Sequence, residues 1–319
     1  MIETIRQISD VIRNNGSFLV TTHEGPDGDA VGSSLGLALF LRALGKDVHV
    51  HYQDPVPDLY TFLPGADTVS RSIPDRDFDV AFVLDIGERR RAGKEFCSFT
   101  RVKTVVNLDH HLACDNFGDF NLIDCTAAAT GVLVYRVISD FGYQIDRDTA
   151  LCLYVAILTD TGSFRYSNSN REAFAAAGEL INTGINAWSV AEKLYESQPR
   201  ERLELLSRCM QTLEMFANGQ AAAVTITLPM YQETGGNAEL TDGFVNYPRS
   251  IRGVEVAVIF RQLDEHSWKI GFRSKGTVNV AAFSQSLGGG GHHNAAGCTL
   301  EGSYQEITAR VKAIIEGSL

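Results

Sequence analysis

Residues 18–29 read Phe18-Leu-Val-Thr-Thr-His23-Glu-Gly-Pro-Asp27-Gly-Asp29. A short apolar run rich in β-branched residues is typical of a buried strand, and the glycines and proline after it indicate a turn. Helical periodicity follows over 30–44 and stops at Gly45. The stretch therefore predicts a strand, a turn and a helix, with a histidine and two aspartates in the turn.

The same alternation continues along the N-terminal part of the chain. Further strand-like runs lie at 48–52, 79–84 and 102–108. Helical periodicity occurs at 1–15, 126–142, 146–158, 171–183 and 187–217. The apolar run 154–158 fits either a helix or a strand. Short strands that alternate with helices predict an α/β domain whose sheet is mostly parallel.

The pattern changes near residue 220. Strand-like runs occur at 221–228, 254–261 and 268–272. Because the intervening segments lack a long crossover helix for each pair, we expect these strands to be antiparallel. Helical patterns occur at 278–287 and 304–315. The expected organisation is a first domain, a helical connector and a smaller second α/β domain at 1–187, 188–217 and 218–319.

The composition excludes several classes of protein. The 319 residues are 44% hydrophobic and 21% charged, as in ordinary globular proteins. The longest apolar stretch, 150–158, is far shorter than the ~20 residues that span a membrane, and no signal peptide is visible. Six cysteines without a CxxC spacing predict reduced thiols, so we expect a cytoplasmic protein. The net charge of −11 disfavours binding of long nucleic acid along a basic face, but it permits a small polyanionic substrate in a local pocket.

Acidic and histidine side chains follow four of the apolar runs. The residues that follow parallel strands gather at one edge of a sheet, so we expect these groups to form one cluster. Its members are His23, Asp27, Asp29, Asp85, Asp109, His110, His111 and Asp160. Each acid alone is more typical of a helix cap or a solvated strand end, but together the carboxylates would repel one another. Divalent cations would relieve that repulsion, and mixed His and carboxylate ligands suit Mn²⁺ or a similar metal.

Five stretches resemble the motifs of the DHH phosphoesterases and of the DHHA1 domain that accompanies them. In order, the first four are His23-Glu-Gly-Pro-Asp-Gly-Asp-Ala-Val-Gly-Ser33, Leu84-Asp85, Asp109-His110-His111 and Leu158-Thr-Asp-Thr-Gly162. The fifth, which resembles the DHHA1 signature, is Gly288-Gly-Gly-Gly-His-His-Asn-Ala-Ala-Gly297. The resemblance covers nearly the whole chain and implies an N-terminal DHH domain and a C-terminal DHHA1 domain.

The resemblance also implies a site with two divalent ions, with Mn²⁺ expected first and Mg²⁺ or Co²⁺ as alternatives. By that resemblance one ion would be held by His23, Asp27 and Asp85. The other would be held by Asp29, Asp85, His110 and Asp160, so that Asp85 bridges the pair. Asp109 would orient His110 from behind, as carboxylates commonly do for metal-bound imidazole. His111 would contact the substrate as an acid.

Candidate substrate contacts lie in the second domain. The consecutive glycines are Gly288, Gly289, Gly290 and Gly291. They let the backbone approach a ligand closely, so that several N–H groups can converge on a phosphate. His292 matches the histidine of the motif, and Arg273 with Ser274 resembles a family position that contacts a substrate phosphate. A flexible linker and a surface arginine are the alternative interpretations.

Other candidates stay open or are expected to be structural. The run Arg89-Arg-Arg91 follows Asp85 and fits either a phosphate contact or a solvated face. The role of His293 is open, because relatives often carry other residues there. The histidines expected to be structural are His49, His51 and His266.

Within the family, the chain length and the glycine loop resemble nanoRNases that also act as 3′-phosphoadenosine-5′-phosphate phosphatases. The expected activity is hydrolysis of short oligoribonucleotides to mononucleotides and of phosphoadenosine phosphate to AMP. A phosphodiesterase of cyclic di-AMP or pApA is the alternative. An exopolyphosphatase or pyrophosphatase is disfavoured by the glycine loop, and a non-catalytic nucleotide- or RNA-binding module by the full set of expected ligands. We expect no long nucleic acid or membrane as partner, and a homodimer is possible in this reading.

Overall fold

The computed structural model describes residues 1–112, 114–276 and 278–319 and, for His292, the backbone alone. The chain forms two compact units, Met1–Glu196 and Ser197–Leu319. The boundary lies inside the segment expected as a connector. No helix in the described ranges is both long and apolar enough to cross a membrane.

The first unit is built from parallel strands and surrounding helices. Its strands are β1 (Ser17–Thr21), β2 (Asp47–His51), β3 (Val69–Ser70), β4 (Phe78–Leu84), β5 (Val102–Asp109) and β6 (Phe120–Ile123). Its α-helices in the described ranges are α1 (Ile2–Asn14), α2 (Gly28–Ala43), α3 (Gly93–Ser98), α4 (Thr130–Phe141), α5 (Arg147–Asp160), α6 (Arg171–Ile181) and α7 (Ala187–Ala191). A short 3₁₀ helix, Arg89–Ala92, follows β4.

The sheet order of the first unit is β3-β2-β1-β4-β5-β6, and the pairs are parallel. The chain proceeds outward from β1 in one direction and from β4 in the other. Ligands bind at such a switch point, in the crevice beyond the carboxyl ends of the two central strands. The residues that directly follow β1 and β4 therefore lie where a site is expected.

Helices α2 and α5 pack closely because α2 presents glycines toward α5. A Cβ at Gly32 would collide with the carbonyl oxygen of Cys152, and one at Gly36 would lie 2.7 Å from a methyl carbon of Leu153. A Cβ at Gly28 would likewise collide with Thr159. These glycines recur every four residues, on one face of the helix. The close contact brings the first turn of α2 near the last turn of α5, and both turns carry an aspartate.

The second unit forms a separate mixed sheet with its own helices. Its strands are β7 (Glu214–Phe216), β8 (Ala221–Ile226), β9 (Val256–Gln262), β10 (Ser267–Ser274), β11 (Gly290–His292) and β12 (Ala295–Glu301). Its α-helices in the described ranges are α8 (Arg200–Met210), α9 (Leu228–Thr234), α10 (Asn246–Ser250), α11 (Val280–Ser286) and α12 (Tyr304–Glu316). The strand order is β11-β12-β10-β9-β8-β7.

The structure confirms the α/β fold class and the mostly parallel first sheet, and it assigns 154–158 to helix α5. One prediction of strand direction is wrong. Strands β9 and β10 are antiparallel as expected, but β8 and β9 are parallel. The crossover between them is supplied by α9 and α10, which have seven and five residues and are too short to give a clear helical period.

The helix predicted over 187–217 is interrupted. Helix α7 continues into a π-helical turn, Glu192–Glu196, and α8 starts again at Arg200 after Pro199. Residues Glu214–Phe216 are strand β7, which pairs with β8. Proline favours the first turn of a new helix rather than the interior of a continuing one, which accounts for the break.

Candidate metal centre

Five elements of the first unit deliver the predicted cluster to one place: β1, α2, β4, β5 and α5. His23 follows β1, Asp85 follows β4, and Asp109, His110 and His111 end or follow β5. Three overlapping groups have ligand atoms within 4.8 Å of one another: His23, Asp27 and Asp85; Asp29, His110 and Asp160; Asp85, His110 and His111. The structure therefore brings together all six residues predicted as metal ligands.

Asp85 is the centre of the cluster. One of its carboxylate oxygens lies 3.5 Å from Nε2 of His23, and the other lies 3.6 Å from His110 and from His111. The hydroxyl of Thr130 donates to the same oxygen at 3.1 Å. Asp85 has φ 61°, in the left-handed region that aspartate tolerates better than most residues. Its amide donates to the Leu108 carbonyl at 2.9 Å, which fixes this turn.

Asp29 is held by the N-terminus of a neighbouring helix. Its two oxygens accept hydrogen bonds from the amides of Thr130, at 2.6 Å, and Gly131, at 2.9 Å, in the first turn of α4. The partial positive charge of a helix N-terminus stabilises a carboxylate there. Nε2 of His110 lies 3.7 Å from the oxygen that faces Thr130. Asp29 is thus buried and oriented by α4 while it faces the cluster.

Asp27 combines two roles that the sequence left as alternatives. Its Oδ1 accepts from the amides of Asp29, at 3.1 Å, and Ala30, at 3.0 Å, and so caps α2. The same oxygen lies 4.0 Å from Nε2 of His23. The helix cap fixes Asp27 beside His23, so capping and membership of the cluster are compatible.

Asp160 at the end of α5 is positioned by Asn168, a residue that the sequence did not single out. The Nδ2 group of Asn168 donates to the Asp160 carboxylate at 3.2 Å and to the Asp160 carbonyl at 3.1 Å. It also donates to the Ala128 carbonyl at 2.9 Å. Nothing in the local pattern distinguishes Asn168 from an ordinary turn residue. Only the folded chain reveals its contact with Asp160.

The prediction that Asp109 orients His110 is wrong. Asp109 Oδ1 lies 2.5 Å from Nδ1 of His111, whereas Nδ1 of His110 lies 3.3 Å from the Ala127 carbonyl. In an extended chain, residues i and i+2 point to the same side and residues i and i+1 to opposite sides. The extended chain at the end of β5 therefore pairs Asp109 with His111.

The cluster separates its acids into two electrostatic classes. Burial would raise the pKa of Asp85, but the hydrogen bond to His23 and the charges of the two neighbouring histidines hold that pKa below its ordinary value. Burial, together with the charges of Asp85 and Asp160, raises the pKa of Asp29 well above its ordinary value. Burial raises the pKa of Asp160 to about 7, against the opposing charge of His110. Asp29 and Asp160 are therefore costly to ionise without additional positive charge.

The pKa values of His23 and His111 are raised as well, which for a histidine favours the charged form. Burial would lower the pKa of His111, but the hydrogen bond to Asp109 and the charge of Asp85 raise it to about 9. The positive charge of Arg91 acts against this increase. Burial would also lower the pKa of His23, yet its contacts with Asp85 and Asp27 raise that pKa above its ordinary value.

The glycine loop differs from the prediction. The amides of Gly288 and Gly289 donate to the carbonyls of Gln285 and Ser284, so they end helix α11 rather than face a ligand. Gly290 and Gly291 belong to the edge strand β11. A Cβ at Gly289 or Gly291 would collide with β12, so at least part of this glycine requirement comes from packing. The four amides therefore cannot all converge on one phosphate, because those of Gly288 and Gly289 donate within the chain.

Among the other predicted substrate contacts of the second unit, Arg273 and Ser274 lie in different surroundings. Arg273 is half-buried on β10 and donates to the Phe272 carbonyl at 3.0 Å. Ser274 is buried, with its hydroxyl donating to the Val278 carbonyl and accepting from Asn294, which indicates a structural role. The predicted contact of the His292 side chain lies outside the described residues. The backbone carbonyl of His293 accepts from the amide of Val280.

The histidines expected to be structural lie outside the metal cluster. Nε2 of His49 lies 2.9 Å from the Ser72 carbonyl. His51 is buried, 3.4 Å from the Thr21 hydroxyl and 3.6 Å from Glu95. The amide of His266 donates to Asp264 in the turn between β9 and β10. None of the metal-ligand groups found among the described residues includes them.

The acidic cluster at the edge of the first sheet could hold divalent ions, and comparisons with known proteins show the family to which the chain belongs. The DHH family N-terminal domain matches residues 17–157, and the DHHA1 domain matches residues 218–317. A Thermus thermophilus protein named bifunctional oligoribonuclease and PAP phosphatase NrnA is 34% identical over 97% of this chain and 94% of its own length. A Bacillus subtilis protein of the same name is 26% identical over 89% of each chain.

A solved structure extends the comparison to the fold. The crystal structure of an exopolyphosphatase-related protein from Bacteroides fragilis matches with a TM-score of 0.93 and 26% identity, over 100% of this chain and 98% of that one. The chain belongs to the DHH family of phosphoesterases, whose members are metal-dependent hydrolases.

Proposed function

We propose that this chain is a two-metal phosphoesterase that hydrolyses short oligoribonucleotides to mononucleotides and 3′-phosphoadenosine-5′-phosphate to AMP. The observation that carries the proposal is the set of three overlapping ligand groups, two of which share Asp85 and two of which share His110. The substrate class is supported by the names of the relatives that match almost the whole chain.

The carboxylates of the cluster repel one another when they are ionised, and divalent cations would relieve that repulsion. The cluster presents four carboxylates and imidazole nitrogens within 4.8 Å in overlapping groups. Ionisation of Asp29 and Asp160 is opposed by burial and by neighbouring acids. Two divalent cations would balance the four negative charges, and the mixture of imidazole and carboxylate suits Mn²⁺. We therefore propose Mn²⁺ as the ion, with Mg²⁺ or Co²⁺ as alternatives.

Each ligand has an assigned place in the proposal. His23, Asp27 and Asp85 would hold one ion, and Asp29, Asp85, His110 and Asp160 the other. Bound ions of this kind lower the pKa of water and stabilise the charge that develops during in-line displacement at phosphorus. The residues around the ligands then maintain their orientation: the α4 amides for Asp29, and Asn168 for Asp160.

His111 is proposed to protonate the leaving oxygen. Asp109 fixes one ring nitrogen of His111, so the ring orientation is set before the substrate binds. The ring is mostly buried, and it faces the same oxygen of Asp85 as His110 does. Asp109 acts here as a positioning residue, in the role that carboxylates commonly have beside histidine.

The second unit is proposed to bind the part of the nucleotide remote from the scissile phosphate. The four carboxylates of the first unit are already balanced by two ions, so further phosphates of a substrate need separate partners. Arg273 is the best candidate, together with the backbone of Gly290, Gly291 and His292. A guanidinium can donate two parallel hydrogen bonds to one phosphate, which favours arginine for this task.

The charge of the chain fits small substrates. With a net charge of −11, long polynucleotides would gain little from general electrostatic attraction. Two to five nucleotides need only a local pocket. Because the six cysteines are free thiols, as is usual in cytoplasmic proteins, we propose that the enzyme acts in the cytoplasm.

A product assay with Mn²⁺ across a substrate panel tests the proposal. The panel contains RNA of two to five nucleotides, phosphoadenosine phosphate, cyclic di-AMP, pyrophosphate and polyphosphate. We expect mononucleotides from the short RNAs and AMP from phosphoadenosine phosphate, with loss of both on addition of a chelator. Faster turnover of cyclic di-AMP would favour the alternative phosphodiesterase. Activity on pyrophosphate or polyphosphate alone, or no activity at all, would refute the proposed substrate class.

A further inference from the structure

The segment that follows Asp85 is tied to the loops on both sides of it. The amide of Glu24, directly after His23, donates to the Arg91 carbonyl at 2.7 Å. On the other side, the amide of Asp115 donates to the Gly87 carbonyl at 2.8 Å, and Asn107 donates to the Ile86 carbonyl at 3.3 Å. The backbone of Arg91 is therefore fixed next to Glu24, which directly follows the predicted metal ligand His23.

The three arginines of this segment differ in their surroundings. The guanidinium of Arg89 lies 5.7 Å from the ring centroid of Phe96. Arg90 forms an ion pair with Glu88. Arg91 has an exposed side chain and no carboxylate within ion-pair distance among the residues that the structure describes. Its backbone carbonyl accepts from the amide of Glu24, the residue after His23, so Arg91 lies next to the loop that carries part of the cluster.

We propose that Arg91 binds the reacting phosphate group at the metal centre, an inference that rests on the proposed phosphoesterase function. A phosphate that enters the cluster meets ions whose charge the four carboxylates already balance, so it gains from an additional cation. Arginine presents fixed donors that match two phosphate oxygens, and it stays charged at every working pH. The lack of a carboxylate partner leaves Arg91 available for this contact, unlike Arg90.

This role differs from the one proposed for Arg273. Arg91 belongs to the same unit as the metal ligands and would contact the phosphate that is common to all substrates. Its removal should therefore affect a minimal ester and an RNA dinucleotide alike. Arg273 should matter only where the substrate has a second phosphate to bind.

Arg90→Ala is a matched control, because it removes a neighbouring arginine of the same run. The full-length chain loaded with Mn²⁺ is assayed on bis-p-nitrophenyl phosphate and on pApA, and inorganic phosphate is used as a competitive inhibitor. We expect Arg91→Ala to lower kcat/KM by about 10²-fold on both substrates, as the loss of an oriented donor to the transition state does. The inhibition constant of phosphate should rise about tenfold. Arg91→Lys should recover part of both losses, and Arg90→Ala should stay within about twofold of the parent.

Manganese content and thermal stability are measured on each variant to separate a loss of phosphate binding from a loss of folding. Arg91→Ala keeps the backbone carbonyl that accepts from Glu24, so we expect both to match the parent. Equal behaviour of Arg91→Ala and Arg90→Ala would overturn the proposal, and so would a loss of manganese that parallels the loss of activity. Failure of the parent enzyme on pApA would refute the proposed substrate class. The ester and the phosphate inhibition would still decide the role of Arg91.

Discussion

The carboxylate of Asp85 faces three imidazoles. The carboxylates of Asp29 and Asp160 are buried near other acids, and both effects oppose their ionisation. This difference explains why the pKa of Asp85 is lowered while the pKa values of Asp29 and Asp160 are raised. In the absence of metal, Asp29 and Asp160 destabilise the folded chain as they ionise. The same two residues should therefore link stability to pH.

We predict that Asp160→Asn increasingly stabilises the metal-free protein, relative to the parent, as the pH rises. The ordinary pKa of Asp160 is 3.8 and the folded value is about 7, so its favourable contribution is complete below pH 4 and is lost as the pH rises through 7. Asparagine does not ionise and lacks this loss. Between pH 4 and pH 8 the free energy of unfolding of the variant should gain on the order of 1 kcal/mol or more over the parent.

Urea unfolding in the presence of a chelator, at pH 4 and at pH 8, measures this difference. Asp10→Asn is the control, because it removes an exposed carboxylate of α1 that lies outside the cluster. A stability difference that is constant or decreases with pH would contradict the electrostatic account of Asp160.

The two adjacent histidines should separate metal binding from catalysis. We predict that His110→Ala depletes one of the two metal ions, because His110 faces Asp29, Asp85 and Asp160. His111→Ala should keep nearly full metal content and lower turnover by about 10²–10⁴-fold, the usual contribution of a positioned acid. Metal analysis and turnover on one preparation of each variant check this. Equal metal loss in both variants would mean that His111 is a ligand.

At the level of single residues, the sequence predicts the members of the cluster but not all of the residues that position them. The six residues predicted as ligands lie at the ends of apolar runs or in the DHH-like motifs, and the structure brings them together, so residue type and position suffice to predict the cluster. The pairing of Asp109 with His111 depends on the side to which each residue of β5 points. The contact of Asn168 with Asp160 depends on a turn whose path cannot be deduced from residue types.

At the level of elements, the glycines of α2 decide how the aspartates of two helices meet. We predict that Gly32→Ala destabilises the protein by about 1–3 kcal/mol, because the added methyl group must push α2 away from the backbone of α5. Because α2 carries Asp29 and α5 ends with Asp160, manganese binding should weaken as well. Chemical unfolding and metal titration are the measurements.

Gly178→Ala in α6 is the matched control, since a Cβ there would meet nothing within 4 Å. Alanine has the higher helix propensity, so this variant should be neutral or more stable by up to about 1 kcal/mol. If Gly32→Ala behaves like Gly178→Ala, the close packing of α2 on α5 does not position the cluster.

In the first sheet, the sequence predicts the strands that are buried and long enough to show a pattern, whereas β12 of the second sheet, with seven residues, has no predicted counterpart. The central strands β1, β4 and β5 have five to eight residues and are predicted by their apolar runs. The edge strands β3 and β6 have two and four residues, which are too few to establish alternation, so the sequence does not predict them. The prediction that β8 and β9 are antiparallel is wrong for a related reason, because the helices of the crossover between them are short.

At the level of the whole molecule, the two units carry different parts of the proposed activity. The proposed metal centre of the first unit would act on the phosphate group common to all the substrates, so we expect selectivity to come from other contacts. We predict that Arg273→Ala lowers kcat/KM on pApA at least tenfold and leaves bis-p-nitrophenyl phosphate within about threefold, because remote binding energy is lost only with the nucleotide.

Lys269→Ala, exposed on the same strand β10, is the control for this comparison. Steady-state kinetics with both substrates provide the result. Equal losses on the two substrates would assign Arg273 to the fold or to the reacting phosphate, and would contradict the division of labour between the units.

The central claim is that one cluster holds two divalent ions that share Asp85. Anomalous diffraction at the manganese absorption edge, on crystals of the manganese-loaded protein, measures this most directly. We predict two anomalous peaks per chain, both within bonding distance of the Asp85 carboxylate, and the loss of both peaks in Asp85→Asn. A single peak, two peaks that do not share Asp85, or full occupancy in Asp85→Asn would contradict the claim.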